Sequence, residues 1–319
     1  MVRGGAGPTA AQAAMAALDR SLFGTQGGSG TDAARSACQG SGVGPGFHRY
    51  ELSPDKEGPA AEMLAFRALP ARASLLQQRF PYAQAADWPS GMAEDVWGGA
   101  DNVWPSEEVR IAVTDLEVRL SGVVDGAMAC LDRALSPWHG GTDVFSPVHG
   151  CGERVIEAKR YSLPPGPHAA PVEALPVHSD LTTLTALVVC PRPGGSGGLE
   201  VFDWASGGWS ELDDGAVSPG DVILNVGEFG SSLTSGVLLA TPHRVVMRAG
   251  ARDSAVLFAT PDAHTDLDTT PARLGHEAAE ALVRELWPSG RGFDERFYRL
   301  SPHRYGLRGG GMVGDHLPI

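Results

Sequence analysis

The chain has 319 residues, 42% of them hydrophobic, which is enough to bury a substantial core in one large domain with helical additions. Its formal net charge of −13 argues against nucleic acid or an anionic membrane surface as the main partner. No stretch approaches the roughly 20 apolar residues of a membrane span, and the N-terminal MVRGGAGPTAAQ lacks the apolar core of a signal peptide. The four cysteines are scattered without CxxC spacing, which favours reduced thiols and a cytoplasmic protein.

Residues 1–150 predict a helical or mixed region. Helices are expected at Thr9–Leu22 and Pro59–Leu69, and the glycine-dense run Gly24–Gly46 predicts a loop or a partly disordered segment. The clearest helix begins after Ser106, a good N-cap, followed by two glutamates that suit the positive end of a helix dipole. Its apolar residues recur every three or four positions and form one stripe: Val109, Val113, Leu116, Leu120, Val124, Met128 and Leu131. We interpret it as a scaffold helix.

Residues 151–265 contain short β-prone runs separated by glycine, proline and aspartate. The predicted strands are Leu184–Val189, Leu199–Trp204, Trp209–Leu212, Asp221–Val226, His243–Met247 and Ser254–Ala259. Many short strands at this spacing are typical of a sandwich or barrel of the jelly-roll kind. Ala205-Ser206-Gly207-Gly208 predicts a hairpin between two tryptophan-bearing strands. Residues 266–319 return to helix at Gly275–Trp287 and end in a glycine-rich tail, Gly306–Ile319, that is expected to be mobile.

A His-x-Asp pair, His178 and Asp180, is the first candidate for chemistry. Residues two apart on a strand point to the same face, so this imidazole and carboxylate can bind one metal ion. Alone the motif is weak evidence for a metal site, because a lone His-x-Asp is more often a surface pair. The chain contains a second His-x-Asp, His264 and Asp266, which we interpret as part of a solvated loop. His243 follows at the start of a predicted strand. Two histidines and one carboxylate form the facial triad of non-haem iron(II) oxygenases, although such a set also binds zinc, manganese or cobalt.

Arg252 and Ser254 share one face of the next predicted strand, nine residues beyond His243. A guanidinium group with a hydroxyl beside it is a natural clamp for a carboxylate. A surface Arg-x-Ser is common, but the position of this one after the third candidate ligand makes it informative.

Together these motifs resemble the isopenicillin N synthase-like branch of the iron(II)/2-oxoglutarate-dependent dioxygenases. The matched segments run in family order through residues 154–262: Arg160-Tyr161 before a proline-rich turn, His178-Ser179-Asp180, Gly198-Leu199-Glu200-Val201, Pro219-Gly220-Asp221, Leu224-Asn225-Val226-Gly227-Glu228, His243-Arg244-Val245 and Arg252-x-Ser254. In the first half the resemblance is confined to short pieces, such as Asp101-Asn102-Val103-Trp104-Pro105.

The resemblance implies a mainly β fold, a double-stranded β-helix (a cupin-like jelly roll) with N-terminal and C-terminal helices packed on it. It implies that iron(II) is bound by His178, Asp180 and His243, with dioxygen and 2-oxoglutarate as cosubstrates. The distal carboxylate of 2-oxoglutarate would be held by Arg252, Ser254 and Tyr161. For the small-molecule substrate the expected pocket residues are Arg160, Phe229, Leu233 and Phe258. The alternative for each of these four is an ordinary core or surface position.

Three functions stay open. The first is 2-oxoglutarate-dependent oxidation of an unactivated C–H bond by hydroxylation, desaturation or cyclisation, and the family branch favours natural-product metabolism such as antibiotic biosynthesis. The second is an oxidase of the isopenicillin N synthase type, in which the Arg-x-Ser pair grips a substrate carboxylate and 2-oxoglutarate is not used. The third is a non-catalytic jelly-roll binding protein. We favour the first because 2-oxoglutarate users dominate the family and the ligand and clamp positions are intact. The sequence does not predict an oligomeric state.

Overall fold

The computed structural model describes residues 2–23, 33–34, 36–38, 46–51, 60–67, 102–150, 154–163, 171–190, 196–203, 206–212, 217–218, 220–262, 265–266 and 270–286. The predicted tail Gly306–Ile319, most of the predicted loop Gly24–Gly46, and His264 lie outside these residues. The strands at 46–51 and 60–67 are described by their backbone alone.

Three of the described helices, at Pro8–Leu18, Glu107–Leu135 and His276–Leu286, lie where the sequence predicts them. Helix α1, Pro8–Leu18, continues into a π-helical turn at Asp19–Phe23, and helix α2 covers Glu107–Leu135. The Ser106 side chain caps α2 by accepting a hydrogen bond from the Val109 N–H at 3.2 Å, which satisfies one of the unpaired N–H groups of the first turn. Two later helices are α3, Glu228–Leu233, and α4, His276–Leu286. Among the helices in the described part of the chain, none combines the length and apolarity needed to cross a bilayer.

The strands form two antiparallel sheets. In the order in which they pair, the six strands of the first sheet are β1 (Gly46–Glu51), β2 (Ala60–Arg67), β3 (Arg154–Ser162), β10 (Ala251–Ala259), β5 (Leu184–Cys190) and β8 (Ile223–Val226). The four strands of the second are β4 (Val172–His178), β9 (His243–Ala249), β6 (Ser196–Asp203) and β7 (Gly208–Glu211). Strands β6 and β7 pair directly, which confirms the predicted hairpin. The two-sheet arrangement with flanking helices confirms the predicted jelly roll.

The helix predicted at Pro59–Leu69 is wrong, because this segment contains strand β2. Strand β2 pairs with β3 along its whole length, from Ala60 opposite Ser162 to Arg67 opposite Val155. Its residues Ala-Ala-Glu-Met-Leu-Ala-Phe-Arg are mostly good helix formers. Helix propensities differ by only about a few tenths of a kcal/mol per residue, so pairing with a neighbouring strand outweighs them. Strands β1 and β3 were also not predicted, and the strand expected to carry both His178 and Asp180 ends at His178.

The six-stranded sheet separates two cores because successive side chains on a strand point to opposite faces. On β10, Ala255, Leu257 and Ala259 are buried against α1 and α2. The alternate residues of β10 point to the other face, into the space between the two sheets, where Val256 packs with Val245 and Leu199 of the second sheet. This alternation decides which side chains can reach a site between the sheets.

Candidate metal centre

The three predicted ligands meet at one edge of the space between the sheets. His178 is the last residue of β4 and lies directly opposite His243, the first residue of β9, with the two ring centroids 4.2 Å apart. Asp180 follows two residues after His178, beyond the end of the strand. Its Oδ1 atom lies 3.7 Å from Nε2 of His178 and 3.6 Å from Nε2 of His243. One ligand atom from each residue therefore lies within 4.8 Å of the others, a spacing that suits a single metal ion.

Both histidines are held in the tautomer that a metal ligand needs. The Nδ1–H of His178 donates to the Pro176 carbonyl at 2.8 Å, and the Nδ1–H of His243 donates to the Thr241 carbonyl at 3.0 Å. Since a carbonyl oxygen only accepts, the proton of each ring sits on Nδ1 and the Nε2 lone pair faces the centre of the cluster. Burial and the nearby His243 ring lower the pKa of His178 to about 4, so its imidazole is neutral at pH 7.

Asp180 is oriented by two donors on the first sheet. Its Oδ2 atom accepts hydrogen bonds from Thr185 Oγ1 at 2.7 Å and from Asn225 Nδ2 at 3.0 Å, which leaves Oδ1 directed at the histidines. Thr185 uses its one hydroxyl proton for Asp180, so Thr182, 3.0 Å away, must donate to Thr185. Burial raises the pKa of Asp180, but the two imidazoles and these hydrogen bonds outweigh it and leave the pKa below its usual value. The carboxylate is thus an anion prepared for a cation.

The loop that carries Asp180 is held by the first turn of α3. The Glu228 N–H donates to the Asp180 carbonyl at 2.9 Å, and the Phe229 N–H donates to the Thr182 carbonyl at 3.0 Å. Gly227, the N-cap of α3, packs so closely on this loop that an added Cβ would lie 2.7 Å from the Asp180 carbonyl oxygen. Backbone contacts therefore set the position of the only carboxylate in the cluster.

His149 anchors the same loop from the other side. Its Nδ1–H donates to the Phe145 carbonyl at 2.7 Å, so Nε2 carries no proton and accepts from the Thr183 hydroxyl at 2.8 Å. This neutral ring is a structural support of the loop three residues beyond Asp180.

The metal-free protein is expected to lose stability as the pH falls, partly through His149. Burial and, to a lesser extent, the charge of Arg154 lower the pKa of His149 from 6.5 to about 4. The unfolded chain therefore binds the proton more readily, so the stabilisation is complete above pH 6.5 and is lost as the pH falls towards 4. The loss should be on the order of 1–3 kcal/mol and is measured by urea unfolding at pH 7 and pH 4.5. His149→Gln should show a smaller drop, and an equal drop in both proteins would contradict the assignment.

A cavity of about 230 Å³ extends from the triad into the space between the sheets. Arg252, Ser254 and Tyr161 line it, and all three are at least 95% buried. Arg252 of β10 is directly opposite Tyr161 of β3, and Ser254 is one inward-facing position closer to the triad. The rest of the wall is mainly apolar and includes Leu175, Leu199, Val201, Leu212, Ile223 and Val256. The predicted clamp and the predicted ligands therefore share one cavity.

Of the four residues expected to contact substrate, the structure places only Phe258 at the cavity. Arg160 points to the opposite face of β3, where its guanidinium makes two 2.8 Å hydrogen bonds to Asp253 and one of 2.5 Å to the Phe23 carbonyl. Phe229 and Leu233 are fully buried on the helix side of the sheet. We therefore correct the expectation for these three: each holds the scaffold together instead of lining the pocket.

Four polar residues of the cavity were missed by the sequence analysis: Lys159, Thr185, Asn225 and Thr241. Asn225 belonged to a matched motif but had no assigned role, Thr185 and Thr241 had none either, and Lys159 was passed over in favour of its neighbour Arg160. The period of two along a strand could have found Lys159, because it is two residues before Tyr161 and so shares its face.

Comparison with known proteins gives matches in sequence and in fold. Residues 154–261 match the family model of the 2OG-Fe(II) oxygenase superfamily. The UPF0676 protein C1494.01 of Schizosaccharomyces pombe is 28% identical over 183 residues, 54% of this chain, and the match spans about half (53%) of that relative's length. The rice dioxygenase for auxin oxidation has a similar fold, with a TM-score of 0.55, 20% identity, and coverage of 96% of this chain and 85% of that one. A 2OG-Fe(II) oxygenase family protein from Caulobacter crescentus gives a TM-score of 0.54, 21% identity, and coverage of 87% and 86%.

Proposed function

We propose that this chain, in which residues 154–261 form a domain of the 2OG-Fe(II) oxygenase superfamily, is an oxygenase that uses 2-oxoglutarate and dioxygen to oxidise a C–H bond of a small molecule. The superfamily predicted from the sequence, and its cofactors iron(II) and 2-oxoglutarate, agree with this match. The observation that carries the proposal is the shared cavity, in which a His-Asp-His cluster lies at one end and a buried Arg-Ser-Tyr clamp at the other.

His178, Asp180 and His243 are the residues that would hold the iron. They supply two neutral nitrogen ligands and one anionic oxygen, the donor set that leaves coordination positions for a cosubstrate. Bound iron(II) would supply the activation of dioxygen, with 2-oxoglutarate converted to succinate and carbon dioxide as the substrate is oxidised. Thr185 and Asn225 fix the orientation of the carboxylate ligand. Replacement of such a hydrogen-bond partner of a metal ligand typically weakens metal binding by roughly 10- to 100-fold.

The clamp would bind the far carboxylate of 2-oxoglutarate. Arg252 offers a guanidinium fork that matches a carboxylate, and the hydroxyls of Ser254 and Tyr161 lie on the same face of the sheet beside it. The apolar wall between clamp and triad keeps water away from the reacting atoms and so strengthens these polar contacts.

An anaerobic titration of the metal-free protein with iron(II) and then 2-oxoglutarate tests the proposal directly. A weak visible charge-transfer band should appear only when both are present and should be absent in His243→Ala. Iron binding without this band would instead support an oxidase that does not use 2-oxoglutarate. No iron binding would leave a non-catalytic binding protein.

Replacement of Arg252 by methionine is expected to weaken 2-oxoglutarate binding and to leave iron binding intact. The loss of a charge-assisted bidentate contact costs on the order of 2–4 kcal/mol, which raises the dissociation constant by roughly 30- to 1,000-fold. The matched control is Arg248→Met, because Arg248 is partly exposed and pairs with Glu200 and Glu211 on the outside of the second sheet. Titration of the charge-transfer band measures both. Unchanged 2-oxoglutarate affinity in Arg252→Met would remove this residue from the clamp.

We place the reaction in natural-product metabolism, as the branch resemblance suggests. The mainly apolar cavity favours a small organic molecule with few polar groups over a macromolecular substrate. Incubation of the loaded enzyme with small-molecule extracts, followed by mass spectrometry for products heavier by one oxygen or lighter by two hydrogens, tests this placement.

A further inference from the structure

Lys159 lines the cavity near the clamp and forms an ion pair with Glu157 on the same strand. Lys159 and Glu157 occupy consecutive inward-facing positions of β3, and Lys159 Nζ is 2.7 Å from Glu157 Oε2. The side chains are only 18% and 19% exposed. The Lys159 ammonium group sits 5.3 Å from the centre of the Phe258 ring, and the Lys159 and Phe258 side chains both line the cavity.

Strand register shows how far along the cavity the ammonium group reaches. Lys159 starts opposite Ser254, at the clamp, whereas Phe258 is two inward-facing positions further along β10 and opposite Thr185. Thr185 is the residue that holds Asp180. The Lys159 side chain therefore runs from the level of the clamp to the level of the metal ligands.

The charges of the proposed cofactors are balanced without Lys159. Iron(II) with the Asp180 carboxylate leaves one positive charge, and Arg252 adds a second. These two positive charges match the two carboxylates of 2-oxoglutarate. Lys159 is in turn neutralised by Glu157. Burying a charged pair is costly, because both groups are removed from water, so a lysine held in the cavity wall beyond this balance is available for a different ligand.

We propose that Lys159 recognises the primary substrate, and that this substrate is a mainly apolar small molecule with an uncharged oxygen acceptor, such as an amide or ketone carbonyl. The inference rests on the proposed function and names the substrate class for it. An ammonium group has three N–H donors, and the bond to Glu157 needs one, so others can point to a carbonyl oxygen. Phe258 and the apolar wall would pack against the rest of the molecule.

Glu157 excludes a carboxylate as the recognised group. A substrate carboxylate bound to Lys159 would lie beside the Glu157 carboxylate, and two like charges at short range repel each other strongly in a poorly hydrated cavity. An uncharged oxygen meets no such repulsion. Glu157 would thus tune the site towards neutral substrates while Lys159 supplies the hydrogen bond.

Benzamide and benzoate provide a matched pair of probes, equal in shape and different in charge. Their dissociation constants are measured by equilibrium dialysis of the radiolabelled compounds against the protein loaded with iron(II) and 2-oxoglutarate without oxygen. The wild type should bind benzamide more tightly than benzoate. Lys159→Met should weaken benzamide binding by about 10- to 100-fold, the effect of losing a hydrogen bond to a charged group, and should leave 2-oxoglutarate affinity unchanged. Glu157→Gln should shift the preference towards benzoate.

Lys159→Met leaves the Glu157 carboxylate without its cation. The double variant Lys159→Met/Glu157→Gln buries no unpaired charge, so it is measured alongside the single variant. It should show the same loss of benzamide affinity. Equal benzamide binding in the wild type and in both Lys159 variants would overturn the proposal, as would a wild type that prefers benzoate or binds neither probe. Weaker 2-oxoglutarate binding in Lys159→Met would overturn it too, by assigning the lysine to the cosubstrate. If iron(II) and 2-oxoglutarate themselves fail to bind the wild type, the proposed function fails, which is a different result.

Discussion

Replacement of Asp180 by alanine is expected to abolish iron(II) binding. The carboxylate is the single anion in the cluster, and without it two neutral imidazoles face the metal. The substitution also leaves the buried Thr185 hydroxyl and the partly buried Asn225 amide without their acceptor. Loss of a hydrogen-bond partner of a metal ligand typically lowers metal affinity by roughly 10- to 100-fold. Loss of the ligand itself should therefore lower it by more than about 100-fold. Anaerobic iron(II) titration followed by metal analysis of the dialysed protein measures the effect.

The control for Asp180→Ala is Asp266→Ala. Asp266 ends the second His-x-Asp motif of the chain, but it belongs to no metal-binding cluster among the described residues. Its replacement should leave iron affinity and the charge-transfer band unchanged. Iron binding that survives in Asp180→Ala at wild-type strength would remove Asp180 from the ligand set. Equal loss in both variants would mean that the measurement reports general unfolding.

The pairing of His178 with Asp180 could be predicted from the sequence because the pattern is short-range and chemical. His178 and Asp180 are two residues apart, and a turn after β4 brings the carboxylate to the histidine as effectively as the strand that was assumed. The proposed clamp was predicted in the same way, since Arg252 and Ser254 share one face of a single strand. Residue types and short spacing were sufficient for these two pairs, whereas His243, on another strand, was predicted from the order of the family motifs.

Features that depend on which strands pair were beyond the sequence pattern. Strand β2 has a helix-forming composition and becomes a strand through its pairing with β3. Arg160 and Lys159 are adjacent cations, and their opposite faces follow once this segment is known to be a strand; the pairing of β3 with β10 then places Arg160 at Asp253 and Lys159 at the cavity. A shift of one residue would exchange the two, so the identity of the pocket residue follows from tertiary structure.

Replacement of Gly227 by alanine is expected to damage both the fold and the metal centre. The backbone of Gly227 has a φ of −98°, which any residue can adopt, so the requirement for glycine is steric. An added Cβ would collide with the carbonyl and hydroxyl oxygens of Thr182 and lie 2.7 Å from the Asp180 carbonyl oxygen. Two of these atoms are backbone and cannot rotate away, so the loop carrying Asp180 must shift. We expect a loss of about 1–3 kcal/mol in unfolding free energy, as for other overpacked sites.

The control for Gly227→Ala is Gly126→Ala, for which the expected change in stability has the opposite sign. Gly126 lies in the interior of α2 with no atom within 4 Å of an added Cβ, so alanine there should stabilise the protein by about 0.5–1 kcal/mol through its better helix propensity. Urea unfolding of the metal-free proteins gives both free energies of unfolding. Iron(II) titration at low denaturant, where the proteins are folded, measures the effect on the metal site alone. A shifted Asp180 should lower iron affinity by roughly 10- to 100-fold even where Gly227→Ala is still folded. A folded variant with wild-type iron affinity would show that the contact between α3 and the loop does not position the carboxylate.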